Sequence, residues 1–194
     1  MITEKQSKVL KFLATGSYSE NYINNIAKEC SLAVSSSQWI LNNLEEQGIV
    51  SHQSIGNVKS FNINFNDKSR DFLSIAYSEE LNSKMENRRR ELESLKDVSK
   101  VAIVFGSYLH KKDPNDMDIL FVLNKSDDYN KLNDGLKEVG YVVPVKIHAI
   151  LQTKKDLIGN IKKRDKIIIN ALREGKLLWG SKYLVEVLED ANTR

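Results

Sequence analysis

Apolar residues recur at helical spacing from the first turn of the chain onward. Between residues 4 and 14, Val9, Leu10, Phe12 and Leu13 fall on one stripe and Gly16-Ser17 stops the segment, which predicts a first helix. A second helix is predicted from about Asn21, with Ile23, Ile26, Ala27 and Cys30 inward. A third runs from about Val34 to Gln47, with Ile40, Leu41 and Leu44 inward, and Gly48 closes it. The period then drops to two in residues 49–52 and 60–65, which flank a turn-prone stretch at 54–57 and predict a small hairpin. Residues 69–95 contain no Gly or Pro and are rich in helix formers, so a connector helix about 40 Å long is expected. Leu81, Met85, Leu92 and Leu95, with Arg88 in the intervening place, form a short seam on it. Two partners fit that seam: a second copy of the chain, making a homodimer, or the chain's own C-terminal part.

Beyond the connector the pattern becomes strand and helix in alternation. Val101-Ala102-Ile103-Val104-Phe105 is a continuous apolar run that ends directly in Gly106-Ser107, a small pair read as a strand-to-helix turn. Eight residues rich in turn formers follow, then Asp116-Met117-Asp118 and the second apolar run Ile119-Leu120-Phe121-Val122-Leu123. A side-chain period of two puts both aspartates on one face of that strand, with Met117 and Ile119 on the other. A helix is expected over 128–139 and a strand over 141–150, where Pro144, Lys146 and His148 share a face. A single helix is expected over 154–174, with Leu157, Ile161, Ile168, Ala171 and Leu172 inward and Gly175 as its stop. An apolar turn around Trp179, read as a core residue, and a last helix capped by Ser181 complete the chain.

Composition sharpens this reading. With 194 residues, 41% of them hydrophobic, the chain can build two modest cores, so the expected domains are 1–66, a connector at 67–97, and 98–194. No stretch approaches the roughly 20 apolar residues of a membrane span, and the first residues lack the plan of a secretory signal, so no membrane partner and a cytoplasmic location are expected. One cysteine, Cys30, excludes an internal disulfide and a cysteine-cluster zinc site. The net charge of +3 is unevenly informative: residues 1–66 carry five basic and five acidic side chains, while the basic runs Arg88-Arg89-Arg90, Lys154-Lys155 and Lys162-Lys163-Arg164 lie further on.

Three helices and a hairpin, with the run Asn43-Leu44-Glu45-Glu46-Gln47-Gly48-Ile49-Val50, resemble the winged helix-turn-helix of small prokaryotic regulators. That resemblance implies DNA binding and a role in transcription regulation, with the third helix entering the major groove by its N-terminal end. Ser35, Ser36, Ser37 and Gln38 would then face bases or phosphates, and Lys59 would reach the backbone from the wing, with His52 as a further wing candidate. A module with so few cations gains little from counterion release. The other use of such a fold is dimerisation or partner docking.

The pattern strand, Gly106-Ser107, spacer, Asp116-x-Asp118, strand resembles the minimal prokaryotic nucleotidyltransferases of the DNA polymerase beta superfamily. The fold so implied is α+β overall: a winged helix-turn-helix, a connector, and a nucleotidyltransferase-like α/β domain with a small mixed sheet. The resemblance implies that Gly106 and Ser107 cradle the phosphates of a nucleoside triphosphate such as ATP, and that Asp116 and Asp118 hold magnesium as the catalytic pair. Tyr108, Lys111 and Lys112 become further candidate phosphate contacts. Glycine allows close backbone approach, and carboxylates suit a hard cation in phosphoryl transfer.

Active members carry a third carboxylate on a later strand beside the pair, and residues 141–150 contain none. Lys146 is the expected substitute, an ammonium standing where the metal would, and His148 is read as structural. Three functions follow from these readings. The first is a DNA-binding regulator with a nucleotide-recognising domain impaired in catalysis. The second is an active transferase modifying a protein, as an antitoxin does, or an RNA or a small molecule. The third is a catalytically dead scaffold in a homodimeric regulator.

Overall fold

The computed structural model describes residues 2–17, 19–78 and 80–193, so Met1, Tyr18, Glu79 and Arg194 lie outside the described residues, as does the side chain of Ile55. The chain is α+β, with a two-stranded and a four-stranded sheet, and divides into two compact units at residues 1–77 and 78–192.

The first unit runs α1 (Glu4–Thr15), α2 (Ile23–Glu29), α3 (Val34–Glu46), β1 (Val50–Ile55), β2 (Val58–Ile63) and α4 (Asp67–Tyr77). A capping box starts α1: the Thr3 hydroxyl accepts from the Gln6 N–H while the Gln6 side chain accepts from the Thr3 N–H. β1 and β2 pair antiparallel from Val50 opposite Ile63 to Ile55 opposite Val58. Gly56, with φ of 60°, takes the first place of their two-residue turn. Val9, Leu10, Ile26, Leu41, Leu44, Ile49, Phe61 and Leu73 are buried among these elements. Leu73 belongs to α4, which packs against α1, so this unit extends past residue 66 to Tyr77.

The second unit runs α5 (Ser83–Glu91), β3 (Ser99–Phe105), β4 (Asp116–Leu123), α6 (Tyr129–Val139), β5 (Lys146–Gln152), α7 (Lys154–Lys162), α8 (Lys166–Glu174), β6 (Lys176–Trp179) and α9 (Ser181–Asn192). Its sheet has the order β5-β4-β3-β6, with β4 antiparallel to β3, β3 antiparallel to β6, and β4 parallel to β5. One face carries Ala102, Val104, Met117, Ile119, Phe121 and Leu123, covered by Met85 of α5, Leu92 and Leu95 after it, and Leu132 and Val139 of α6. The other face is covered by α7, α8 and α9, whose Leu157, Ile161, Ile168, Leu172, Leu184 and Leu188 are buried. Asp116 and Asp118 alternate with Met117 and Ile119, so they lie on this second face.

Three expectations about elements are corrected. The connector is not one helix: α4 and α5 are separate, each belonging to a different unit. Asn82 starts α5 afresh by accepting from the Met85 N–H at 3.0 Å. The seam residues Met85, Leu92 and Leu95 are buried in the unit's own core, with Leu81 packed against it, so they leave no seam for a second copy. The helix expected over 154–174 is also two. Arg164 turns left-handed at φ 60°, and Asp165 then caps α8 by accepting from the N–H groups of Ile167 and Ile168. The strand expected from 141 begins only at Lys146. Residues 140–142 form turns and 143–145 a bend, because Pro144 has no N–H to give a ladder, and Tyr141 is 92% exposed.

Candidate functional site

β3 ends at Phe105, and the next residue, Gly106, has φ of 73°, a left-handed conformation that glycine adopts without strain. The chain then makes a 3-10 turn over Gly106–Leu109 rather than entering an α-helix, and the Ser107 carbonyl accepts from the N–H groups of His110 and Lys111. The antiparallel register sets Phe105 opposite Asp118, which brings the turn against that carboxylate. A Cβ on residue 106 would stand 2.6 Å from the Asp118 Oδ2. Glycine is therefore required here twice, by the backbone angle and by the contact.

The parallel ladder between β4 and β5 sets Asp116 opposite Lys146 and Asp118 opposite His148, all on the α7–α9 side of the sheet. His148 is the group that approaches the pair. Its Nδ1 lies 3.8 Å from Asp116 Oδ2 and 3.6 Å from Asp118 Oδ1. These separations exceed a hydrogen bond, so the three side chains converge on shared space rather than on one another. Their side chains keep 42%, 35% and 46% of their surface exposed for Asp116, Asp118 and His148, which leaves room for a ligand.

The expectation for Lys146 is corrected. It is exposed and on the right face, but its ammonium forms no ion pair with either aspartate, so it does not stand in a metal's place between them. Among the described residues, no group of three or more His, Cys, Asp or Glu side chains is arranged to hold a metal ion, so His148 does not complete a ligand set with the two aspartates. Two carboxylates with open flanks suit magnesium, which commonly takes one or two carboxylates and completes its shell with phosphate oxygens and water.

The neighbouring candidates separate. Ser107 is half-buried at the turn, and Lys111 and Lys112 are exposed in the following loop. Tyr108 is not available to a nucleotide: it is buried in the core, and burial pushes its hydroxyl above the usual tyrosine range. Lys84 of α5 secures it, donating to the Tyr108 carbonyl at 3.1 Å with its ammonium 3.9 Å from the ring centroid. Lys84 carries no sequence signal of its own, because it lies in a charged helix without periodicity.

In the first unit, Ser35 and Lys59 are exposed and Ser36 is partly so. Ser37 is fully buried and donates to the Ala33 carbonyl at 3.2 Å, so it cannot reach DNA. The Gln38 amide already donates to Asn42 at 2.6 Å. His52 sits 2.6 Å from Glu45 and is turned to that partner. The residue that sequence reading passed over is Trp39, 66% exposed on α3 and bordering a groove of about 640 Å³ with Thr3, Lys5, Ser35 and Ser36. No Lys or Arg lies between Lys28 and Lys59, so α3 brings no cation of its own. No described helix is long and apolar enough to cross a membrane.

The chain matches no protein family, and no curated protein and no solved structure matches it.

Proposed function

We propose that the second unit is a nucleotidyltransferase-like domain that recognises a magnesium-bound nucleoside triphosphate, and that the first is a winged helix-turn-helix which couples this recognition to DNA. The chain is then a nucleotide-responsive regulator. One observation carries the reading: the Gly106 turn rests against Asp118, on the sheet edge where Asp116, Asp118 and His148 converge.

In this account Gly106 lets backbone approach the phosphates, Ser107 donates its hydroxyl to a phosphate oxygen, and Asp116 and Asp118 hold the ion. Magnesium, when bound, supplies charge neutralisation at the phosphate oxygens. Calorimetric titration of the four nucleoside triphosphates, with and without magnesium, tests the reading on the wild type and on an Asp116→Ala/Asp118→Ala double variant. Magnesium-dependent binding that the double variant lacks is expected. No binding by the wild type would reduce the domain to a scaffold.

A second reading, an active transferase, is favoured by His148. Its imidazole stands opposite Asp118 in the β4–β5 ladder with Nδ1 3.6 Å from that carboxylate, and an imidazole so placed can accept a proton from an attacking hydroxyl. That hydroxyl would bond to the α phosphorus as pyrophosphate leaves. Transfer of label from an α-labelled triphosphate to a protein, RNA or small acceptor, lost in His148→Ala, would select this reading.

A further inference from the structure

The four-stranded sheet has two edges, and they are built differently. β6 is four residues long, and its register against β3 shifts between Ala102 and Ile103. A short strand with an irregular ladder is one of the ways a protein keeps a sheet edge from pairing. β5 has seven residues, and its parallel ladder with β4 runs unbroken from Lys146 opposite Asp116 to Gln152 opposite Val122. Residues 147–152 include no proline and no Lys, Arg, Asp or Glu, so nothing along this edge discourages a further strand.

The ladder fixes which backbone groups face outward. The Lys146 N–H donates to the Asn115 carbonyl at 3.3 Å, so Lys146, His148, Ile150 and Gln152 turn their backbone groups toward β4. Ile147, Ala149 and Leu151 therefore turn theirs away from the sheet, and among the described residues none of these N–H and C=O groups has a partner. Their side chains pack on the core face that α5 and α6 cover, yet remain only half-buried. Tyr141 and Val142, in the segment that leads into the strand, are exposed. Open backbone groups beside uncovered apolar side chains are what a pairing strand would cover.

We propose that β5 pairs antiparallel with β5 of a second copy of the chain, about a two-fold axis at Ala149, and joins the two four-stranded sheets into one. The strand's own sequence identifies the occupant. Outward-facing residues must pair with outward-facing residues, and Ala149 opposite itself is the register that overlaps all seven positions. It puts the smallest side chain of the strand where a residue must face its own copy, and it sets Ile147 against Leu151 of the partner subunit. Lys146, the one Lys, Arg, Asp or Glu of the strand, falls opposite the uncharged Gln152 of the partner subunit, so no like charges are opposed. About six backbone hydrogen bonds form between the edges. Pairing within one sheet leaves both aspartate pairs on the same face, with each β5 closing the open flank of the other's His148. The pairing does not depend on what that site binds.

Sedimentation velocity on the full chain over a series of concentrations tests this, with Ala149→Pro as the first variant. Proline removes only an N–H that points away from β4, so the internal ladder is kept, and thermal melting checks that the variant is folded. The wild type is expected to reach twice the mass of the chain, and Ala149→Pro to stay at the single mass while still melting cooperatively. Oxidative cross-linking reads the register without proline, and it decides the matter if Ala149→Pro unfolds. The Cα atoms of a hydrogen-bonded antiparallel pair lie about 5.5 Å apart, within disulfide reach, so Ala149→Cys is expected to give a covalent dimer. Ile147→Cys, about 13 Å from its own copy in this register, is not. Cys30 is buried and common to both variants. A wild type at the single mass at every concentration would overturn the proposal and leave the edge to a strand of another protein. A dimer that survives in folded Ala149→Pro, or equal cross-linking of the two cysteine variants, would overturn it as well.

Discussion

Substituting Gly106 by alanine probes the site at the point where fold and chemistry meet. The left-handed φ of 73° costs a residue with a Cβ about 1–2 kcal/mol. The new methyl would also stand 2.6 Å from the Asp118 Oδ2, and rotating that carboxylate off its rotamer adds about 0.5–1.5 kcal/mol. Together these give a destabilisation of about 1.5–3.5 kcal/mol for the second unit, a fall of roughly 5–18 °C in Tm. Gly48 separates the two contributions, because its φ is 72° and nothing lies within 4 Å of an added Cβ, so Gly48→Ala in the first unit reports the backbone penalty alone. Gly159→Ala, in the interior of α7 with open space around it, should be neutral or stabilising by about 0.5–1 kcal/mol. Urea unfolding followed by Trp179 fluorescence in a Trp39→Phe background isolates the second unit, and Trp39 fluorescence in a Trp179→Phe background reads the first for Gly48→Ala. Trp179 packs with its ring centroid 6.1 Å from that of Phe121 and donates to the Ser99 carbonyl at 3.2 Å. A Gly106→Ala protein no less stable than Gly48→Ala, with nucleotide binding intact, would refute the claim that the turn rests on the carboxylate.

Other perturbations follow from the same geometry. His148→Asp introduces a third carboxylate beside the pair. It should lower the melting temperature without magnesium and reduce several-fold the magnesium needed for half-maximal nucleotide binding; unchanged magnesium dependence would count against convergence of the three groups. Burial raises the Tyr108 hydroxyl above its unfolded value of 10.0, so the folded state holds its proton longer and stability should fall as pH climbs past that value. Tyr108→Phe should flatten this alkaline loss, measured by thermal melts between neutral pH and about 11. For DNA, the lack of Lys and Arg from 29 to 58 predicts a plot of log affinity against log salt no steeper than about −3, read by electrophoretic shift or anisotropy. A steep slope would place the DNA contact elsewhere on the chain.

Legibility in the sequence followed the range of the forces involved. Elements with local signals could be read directly: the Gly16 stop of α1, the turn within 54–57, and the apolar runs that become β3 and β4. Breaks made without Gly or Pro could not. The chain between α4 and α5 is interrupted beside Asn82, whose type suits a cap but also a helix surface, and α7 ends at Lys162 with a left-handed Arg164 just beyond it, where composition would put glycine. Lys146 and His148 share a period-two face, and charge alone put Lys146 first as the group expected beside the carboxylates. In the folded sheet the imidazole, standing opposite Asp118, comes within 4 Å of both carboxylates, while Lys146 opposite Asp116 forms no ion pair with either. Trp39 escaped notice because it lies off the stripe of Ile40, Leu41 and Leu44 on α3, where only the tertiary fold reveals exposure.

The central claim is that Gly106, Ser107, Asp116 and Asp118 form one pocket for a metal-bound triphosphate. The most direct measurement is a crystal structure of the full chain with manganese and a non-hydrolysable nucleoside triphosphate, read by anomalous scattering. The account predicts a manganese peak between the Asp116 and Asp118 carboxylates, with phosphate oxygens against the Gly106-Ser107 turn. A nucleotide bound elsewhere, or a metal peak away from these aspartates with the turn empty, would contradict it.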